Sequence, residues 1–292
     1  MRKSGAAIRA GNRRLSPMKQ LAIQGALLLV AAFVLIPLWG LVRIALDGSI
    51  KSVPTSFSIW PQEITFKVFE QVWKTPSQSL SFPGLLRNSL LVAGSSALAA
   101  VVMGASMAYA FARFRFRGRE PGLIVILVGA FLPLVALMTP LYVLLESLKL
   151  RSTLFGLILV YTAFALPFCI WNMRAAFQSV PAEMEEAAFL DGAGPLATFL
   201  QITLPNALPA IGVAALLAFL TAYSEFAIGW LFVENSQNVT VAMALWGIIT
   251  MGSYPWSQLA AMAILMSLPV VIVFLVLQRA LFDRMVFGVG GE

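Results

Sequence analysis

A chain of 292 residues that is 60% hydrophobic and only 11% charged lacks the polar coat of a water-exposed fold, because soluble domains carry about 25% charged residues. The formal net charge is +7, yet the basic residues stand between and outside the apolar runs, which is how a membrane protein is oriented and not how nucleic acid is bound. A single cysteine, Cys169, and no histidine exclude an intrachain disulfide and the commonest general base and neutral metal ligand.

Residues 1–20 carry Arg2, Lys3, Arg9, Arg13, Arg14 and Lys19 and read as a cytoplasmic tail. The apolar run that follows is too long for a signal-peptide core, and no small-x-small site closes it, so 21–46 reads as a retained first transmembrane helix. A span needs about 20 apolar residues at ~1.5 Å rise each. Six runs qualify: 21–42, 85–111, 123–145, 154–177, 208–232 and 259–281.

The segment 47–84 mixes Pro, Ser and aromatic residues and reads as extracytoplasmic, a short folded cap or an extended arm. Gly94, Ser95, Ser96, Ala97 and Gly104 suit close helix packing in the second span. Arg113, Arg115, Arg117 and Arg119 lie in a short inner loop, where they anchor topology and meet lipid headgroups. Pro133, Pro140, Pro167 and Pro269 predict either helices bent around a cavity or ordinary kinks, since neighbouring helices can satisfy the freed backbone groups. Residues 239–249, in an outer loop, are apolar enough to dip into the membrane or pack as a re-entrant helix. With both termini inside, thirteen basic residues fall on the inner side and seven on the outer, and 285–292 is a cytoplasmic C-terminal tail.

The long inner loop, 178–207, is the informative one. Pro181 suits a first helical turn, where a missing N–H costs nothing. Glu183, Glu185 and Glu186 follow and complement the helix dipole. Gly192 ends that helix, Pro195 opens a second over 196–203, Leu204-Pro205 closes it, and Pro209 enters the fifth span. Local physics therefore predicts a helix–turn–helix on the cytoplasmic surface. A short rigid helix transmits displacement that a slack loop would absorb. Small Ala187 and Ala188 let it enter a cleft on a partner. Glu186 and Asp191 can pair with basic groups there or cap backbone amides.

At these residues the sequence resembles the permease subunits of ATP-binding-cassette importers. Glu186-Ala187-Ala188, Asp191-Gly192-Ala193, Phe199, Ile202, Leu204-Pro205 and Pro209 match their EAA loop at fixed spacing. Asn88-Ser89-Leu90, the run from Ala108 to Arg113, Tyr223-Ser224-Glu225-Phe226 and Gln278-Arg279 extend the likeness over 85–284, toward the MalG-like carbohydrate-uptake branch of binding-protein-dependent inner membrane components. Tyr223-Ser224 stands where that family often has Trp-Asn, and the chain ends in Phe287-Gly288-Val289-Gly290-Gly291-Glu292 where a Gly-Ala-Val-Lys-Gly-like tail is usual.

The resemblance implies an all-α membrane protein of six transmembrane helices with a cytoplasmic helix–turn–helix coupling (EAA) loop, in the inner (plasma) membrane. It implies transport of a sugar or sugar-like solute, an oligosaccharide, disaccharide, polyol or glycoside, by alternating access. Its ATPase-coupling residues are Glu185, Glu186, Ala187, Ala188, Asp191, Gly192, Ala193, Phe199, Ile202, Leu204 and Pro205. Its partners are a homologous (MalF-like) permease subunit, two (MalK-like) ATPase subunits that hold ATP and Mg, an extracytoplasmic sugar-binding protein and membrane lipids. The chain has no phosphate-binding Gly-x-x-x-x-Gly-Lys-Ser/Thr sequence, no nucleophile–base–acid set and no metal cluster, so no cofactor and no enzyme activity of its own are expected.

Glu225 is the only acidic residue inside an expected span, a costly placement that turns toward protein or water. With Tyr223, Phe226 and Trp230 it forms a candidate translocation path, or else a helix–helix contact. An ion-coupled secondary transporter with Glu225 as its coupling site is the alternative, and a membrane-embedded enzyme a third reading.

Overall fold

The computed structural model describes residues 16–50, 53, 58–76, 80–251 and 255–287, with the backbone alone at Met251 and 279–287. Most of the basic N-terminal tail and the last residues of the C-terminal tail lie outside the described residues. Every regular element described is helical, apart from one isolated antiparallel bridge between Asp47 and Ile64.

Four helices are long and apolar enough to cross a bilayer: α1 (Pro17–Leu46), α3 (Phe82–Arg113), α6 (Leu154–Ser179) and α13 (Trp256–Phe287). At ~1.5 Å per residue even the shortest exceeds a hydrocarbon core about 30 Å thick. Two bent pairs raise the number to six if each counts as one span. Between α1 and α3 lies the short helix α2 (Lys67–Lys74).

The third expected span is not one continuous helix. α4 (Arg119–Ala130) and α5 (Leu134–Ser147) meet at 99°. The cause is local. Pro133 has extended backbone and no N–H, and a proline disfavours helical geometry at the residue before it, here Leu132. The chain tightens into the break through Phe131 N–H to Val128 and Leu132 N–H to Gly129. Pro140, Pro167 and Pro269 stay inside unbroken helices. The fifth expected span also breaks: α10 (Leu208–Ser224) stops at Glu225-Phe226, and α11 (Ala227–Phe232) resumes.

The centre is built by α3, α6 and α10. The buried positions of α3 include Leu85, Ser89, Val92, Ser96, Ala100, Gly104 and Ala108, a stripe that recurs every three to four residues. Its small residues set the approach of α6: a Cβ at Gly104 would lie 2.9 Å from both Cys169 Cβ and Met173 Cε. Gly94, by contrast, faces open space and packs nothing.

Around this core α13 packs on α1, and the apolar outer stretch forms α12 (Val241–Met251), tucked against α3 and α13 with Val241, Ala242, Met243 and Ala244 buried. The helix α1 buries only Arg43 and Ala45, so its apolar side chains face outward along most of its length, as lipid permits. At the C-terminal end of α1 the described residues among 47–66 fold back on Asp47. Fully buried Asp47 accepts hydrogen bonds from Ser49 Oγ (2.6 Å), the Ser49 amide (3.1 Å) and the Gln62 amide (3.0 Å), and Arg43 lies 3.5 Å away. Burial alone would raise the Asp47 pKa, but these donors together hold it below its ordinary value.

Candidate coupling interface and translocation path

The helix α6 ends at Ser179, Val180 turns inward, and Pro181 caps α7 (Ala182–Leu190) from just outside its first turn. The helix closes through a Schellman motif. Gly192 N–H reaches the Phe189 carbonyl at 3.1 Å and Ala193 N–H the Ala188 carbonyl at 2.9 Å. This needs a left-handed residue, and Gly192 supplies it with φ of 88°. Gly194 and Pro195 then open the return arm. Helix α8 (Pro195–Thr198), a π-helical turn (Phe199–Thr203) and α9 (Leu204–Asn206) run on without a stop at Leu204-Pro205. The arm then turns by 78° into α10. The helix–turn–helix is therefore present, with a second arm slightly longer than expected.

Its residues divide by the side they face. Glu186, Ala187, Asp191 and Gly192 are exposed, and Ala188 and Ala193 half-buried. Beside them Phe189, Leu196 and Leu200 stand out as exposed apolar side chains, and Leu190 is 90% exposed. Glu185 points the other way. It is 6% exposed and accepts from Thr203 Oγ1 at 2.6 Å and Arg113 Nε at 2.9 Å, with the Tyr109 hydroxyl at 3.5 Å. Arg113 also donates through Nη2 to the Val180 carbonyl at 2.8 Å. Phe199 fixes the arm by packing on Tyr109 (ring centroids 4.6 Å) and Phe177 (5.9 Å). Ile202, Leu204 and Pro205 are half-buried along it.

Arg113, expected as a topology anchor, is instead paired with Glu185, and Thr203 joins the site with no sequence signal of its own. A lone threonine in an amphipathic arm gives no signal until the fold brings a carboxylate beside it.

The four translocation candidates surround the α10–α11 break but do not converge. Tyr223 is buried against α13 and donates to the Met266 carbonyl at 3.0 Å. Glu225 accepts from Tyr161 Oη at 2.6 Å and from the Ile228 amide at 3.0 Å, with the Gly229 amide at 3.4 Å, and so caps the start of α11. Phe226 stacks on Trp246 of α12 at 4.5 Å. Trp230 is 56% exposed. An apolar cavity of about 400 Å³ lies beside the α4–α5 bend, bordered by Met107, Ile126, Leu141, Phe164 and Pro167 among others. Its lining carries no polar side chain, so a hydroxyl-rich solute would leave its hydrogen bonds unmade there.

The loop 233–240 is pinned at several points. Ser152 Oγ accepts from the Glu234 and Asn235 amides, and Arg151 pairs with Glu146 and Glu234. Asn88 donates to the carbonyls of Gln237 (2.7 Å) and Val239 (3.0 Å), and Ser89 Oγ accepts from the Val241 amide at 2.8 Å. Among the described residues no group of three or more Cys, Asp or Glu side chains could hold a metal.

Residues 81–287 match the family described as binding-protein-dependent transport system inner membrane component. The maltose/maltodextrin transport system permease protein MalG of Escherichia coli strain K12 is 32% identical over 277 residues, 90% of this chain and 92% of that protein. The trehalose/maltose transport system permease protein MalG of Thermococcus litoralis is 31% identical over 226 residues, 77% of this chain and 80% of that protein. A crystal structure of a bacterial ABC transporter that imports the acidic polysaccharide alginate contains a chain of the same fold, with a TM-score of 0.71 and 20% identity, covering 91% of this chain and 98% of that one.

Proposed function

This chain belongs to the binding-protein-dependent inner membrane components and is a permease subunit of an ATP-binding-cassette sugar importer, and we propose that it carries its solute by alternating access along a path shared with a homologous second permease subunit. Two ATPase subunits would bind ATP and Mg and do the hydrolysis, one docking on the loop 178–207 of this chain. An extracytoplasmic binding protein delivers the solute to the outer face. Both termini are inside. The solute is a disaccharide or short oligosaccharide, the class that relatives named for maltose and trehalose carry.

One observation supports the coupling role above the rest. The 182–193 segment is rooted by a buried carboxylate at Glu185 and ended by a left-handed Gly192, and it presents Glu186, Phe189, Leu190 and Asp191 outward. A rigid helix with an unpartnered apolar tip fits a cleft on a moving partner. ATP binding then shifts the population between inward- and outward-open bundles by its difference in affinity for the two. The breaks at Phe131–Pro133 and Glu225-Phe226 are where the path would bend.

The test is reconstitution with co-purifying partners. Uptake of labelled maltose or trehalose should need binding protein and ATP hydrolysis and ignore proton or sodium gradients. Uptake driven by a gradient, with no ATPase present, refutes the proposal and restores Glu225 as a coupling site.

A further inference from the structure

Resting on the reading of α7 as the coupling helix, we infer that Arg113 is the positioning residue through which α7 drives the bundle. Its largely buried link to Glu185 makes α7 and the end of α3 one mechanical body. The Glu185 carboxylate gathers Arg113 from α3 and Thr203 from the return arm, and Arg113 adds the α6–α7 junction through the Val180 carbonyl. One charge pair thus ties the end of α3 to three points of a loop about 70 residues further along the chain. An arginine serving only as a topology anchor would reach for lipid headgroups. The Arg113 side chain is 17% exposed, and its Nε and Nη2 are both committed to protein. Removing one member of such a pair leaves the other buried and unbalanced, which is why the joint holds its geometry.

The place of the joint matters as much as its strength. Arg113 is the last residue of α3, so a push on α7 enters that helix at its inner end. The opposite end of α3 carries Asn88 and Ser89, which hold the outer loop at Gln237, Val239 and Val241. Between them, the close approach of α6 at Gly104 leaves no slack. The helix therefore relays displacement from the ATPase side to the outer loop, tied at both ends.

The experiment uses the whole complex with its ATPase, sister permease and binding protein, and a reporter Gln237→Cys on the outer loop. N-ethylmaleimide labelling is timed with and without vanadate-trapped nucleotide. Nucleotide should change the rate about tenfold in the reporter complex, a coupling of ordinary size. Arg113→Gln should cut that response below about twofold while ATPase subunits stay bound and ATP is still hydrolysed, and Arg113→Lys should restore part of it. Arg113→Gln combined with Glu185→Gln should be no worse than either alone, because the two share one link.

A full response in Arg113→Gln overturns the inference, as does loss that tracks only a lower yield of assembled complex. If Arg113→Gln does not assemble, Thr203→Val removes a single donor. A response reduced to about threefold then supports the link, and an unchanged one refutes it. Failure of the underlying reading looks different: the reporter complex itself ignores nucleotide, and Leu190→Glu leaves ATPase binding intact.

Discussion

Substituting Gly192 separates backbone geometry from bulk. A Cβ placed there meets no heavy atom within 4 Å, so packing predicts no penalty. The penalty comes from φ of 88°, where a residue bearing a Cβ loses about 1–2 kcal/mol. Gly192→Ala should therefore weaken the turn about 5–30-fold. Gly192→Asn should cost less, because its short polar side chain tolerates the left-handed region. Gly192→Val should cost most. The control is Gly194→Ala, equally open in space but at φ of −76°, which should cost nothing measurable. The assay is amide hydrogen exchange in the purified complex at Gly192 and Ala193, whose N–H groups close the Schellman motif, followed by ATP-driven uptake. The expected order of protection is Gly, Asn, Ala, Val. An order that follows side-chain size, with Gly194→Ala as damaging as Gly192→Ala, would show that the turn is held by contacts and refute the backbone argument.

Gly104→Leu should force α3 and α6 apart at Cys169 and Met173 and lower the thermal midpoint in detergent by the equivalent of about 1–3 kcal/mol; an unchanged midpoint would mean the helices are not in contact there. Tyr161→Phe removes one donor to Glu225 and should cost about 0.5–1.5 kcal/mol while uptake continues, because the Ile228 amide still holds the carboxylate; abolished uptake would give Glu225 a direct role in the path. Asp47→Asn should loosen the outer cap, seen as faster proteolysis near residues 58–66. The pH response has a definite sign. Asp47 has a folded pKa below its ordinary value of 3.8, so its contribution is complete above that value and is lost as pH falls through the lower folded one. A cap that loosens instead between pH 5 and 8 would contradict this.

The helices and the coupling loop were legible because their signals are local. Length, apolar runs and charge placement give the spans, and Pro181, Gly192 and Pro195 punctuate the loop. The bends were half legible. Pro133 and Pro167 look alike in sequence, yet Pro133 ends a helix and Pro167 sits inside one. The difference lies in whether neighbouring helices satisfy the freed carbonyls, which no single stretch of sequence encodes. The inward turn of Glu185 was illegible. Glu185 and Glu186 are adjacent and chemically alike, and only the packing of α7 against the return arm, with Arg113 beside it, decides which of them is buried. For the same reason the surroundings of Tyr223, Glu225 and Phe226 were not legible: they are neighbours in sequence, yet a break in the helix sends each toward a different part of the fold.

Strict geometry in this chain is set by polar contacts near the two ends of the bundle and by close packing at Gly104 between them, while the outward-facing apolar surface is permissive. The outward-facing positions of α1 are apolar along most of its length, a surface that lipid or another apolar helix accepts without strict geometry. Buried polar groups have no such freedom, because an unmade hydrogen bond in that medium is expensive. Arg113, Glu185 and Thr203 at one end of the bundle, and Asn88, Ser89 and Ser152 at the other, are therefore its constrained positions. A solute path through such a bundle does not require a rigid wall. On the proposed mechanism it requires that the two ends move together, and the polar joints are where that requirement would be met.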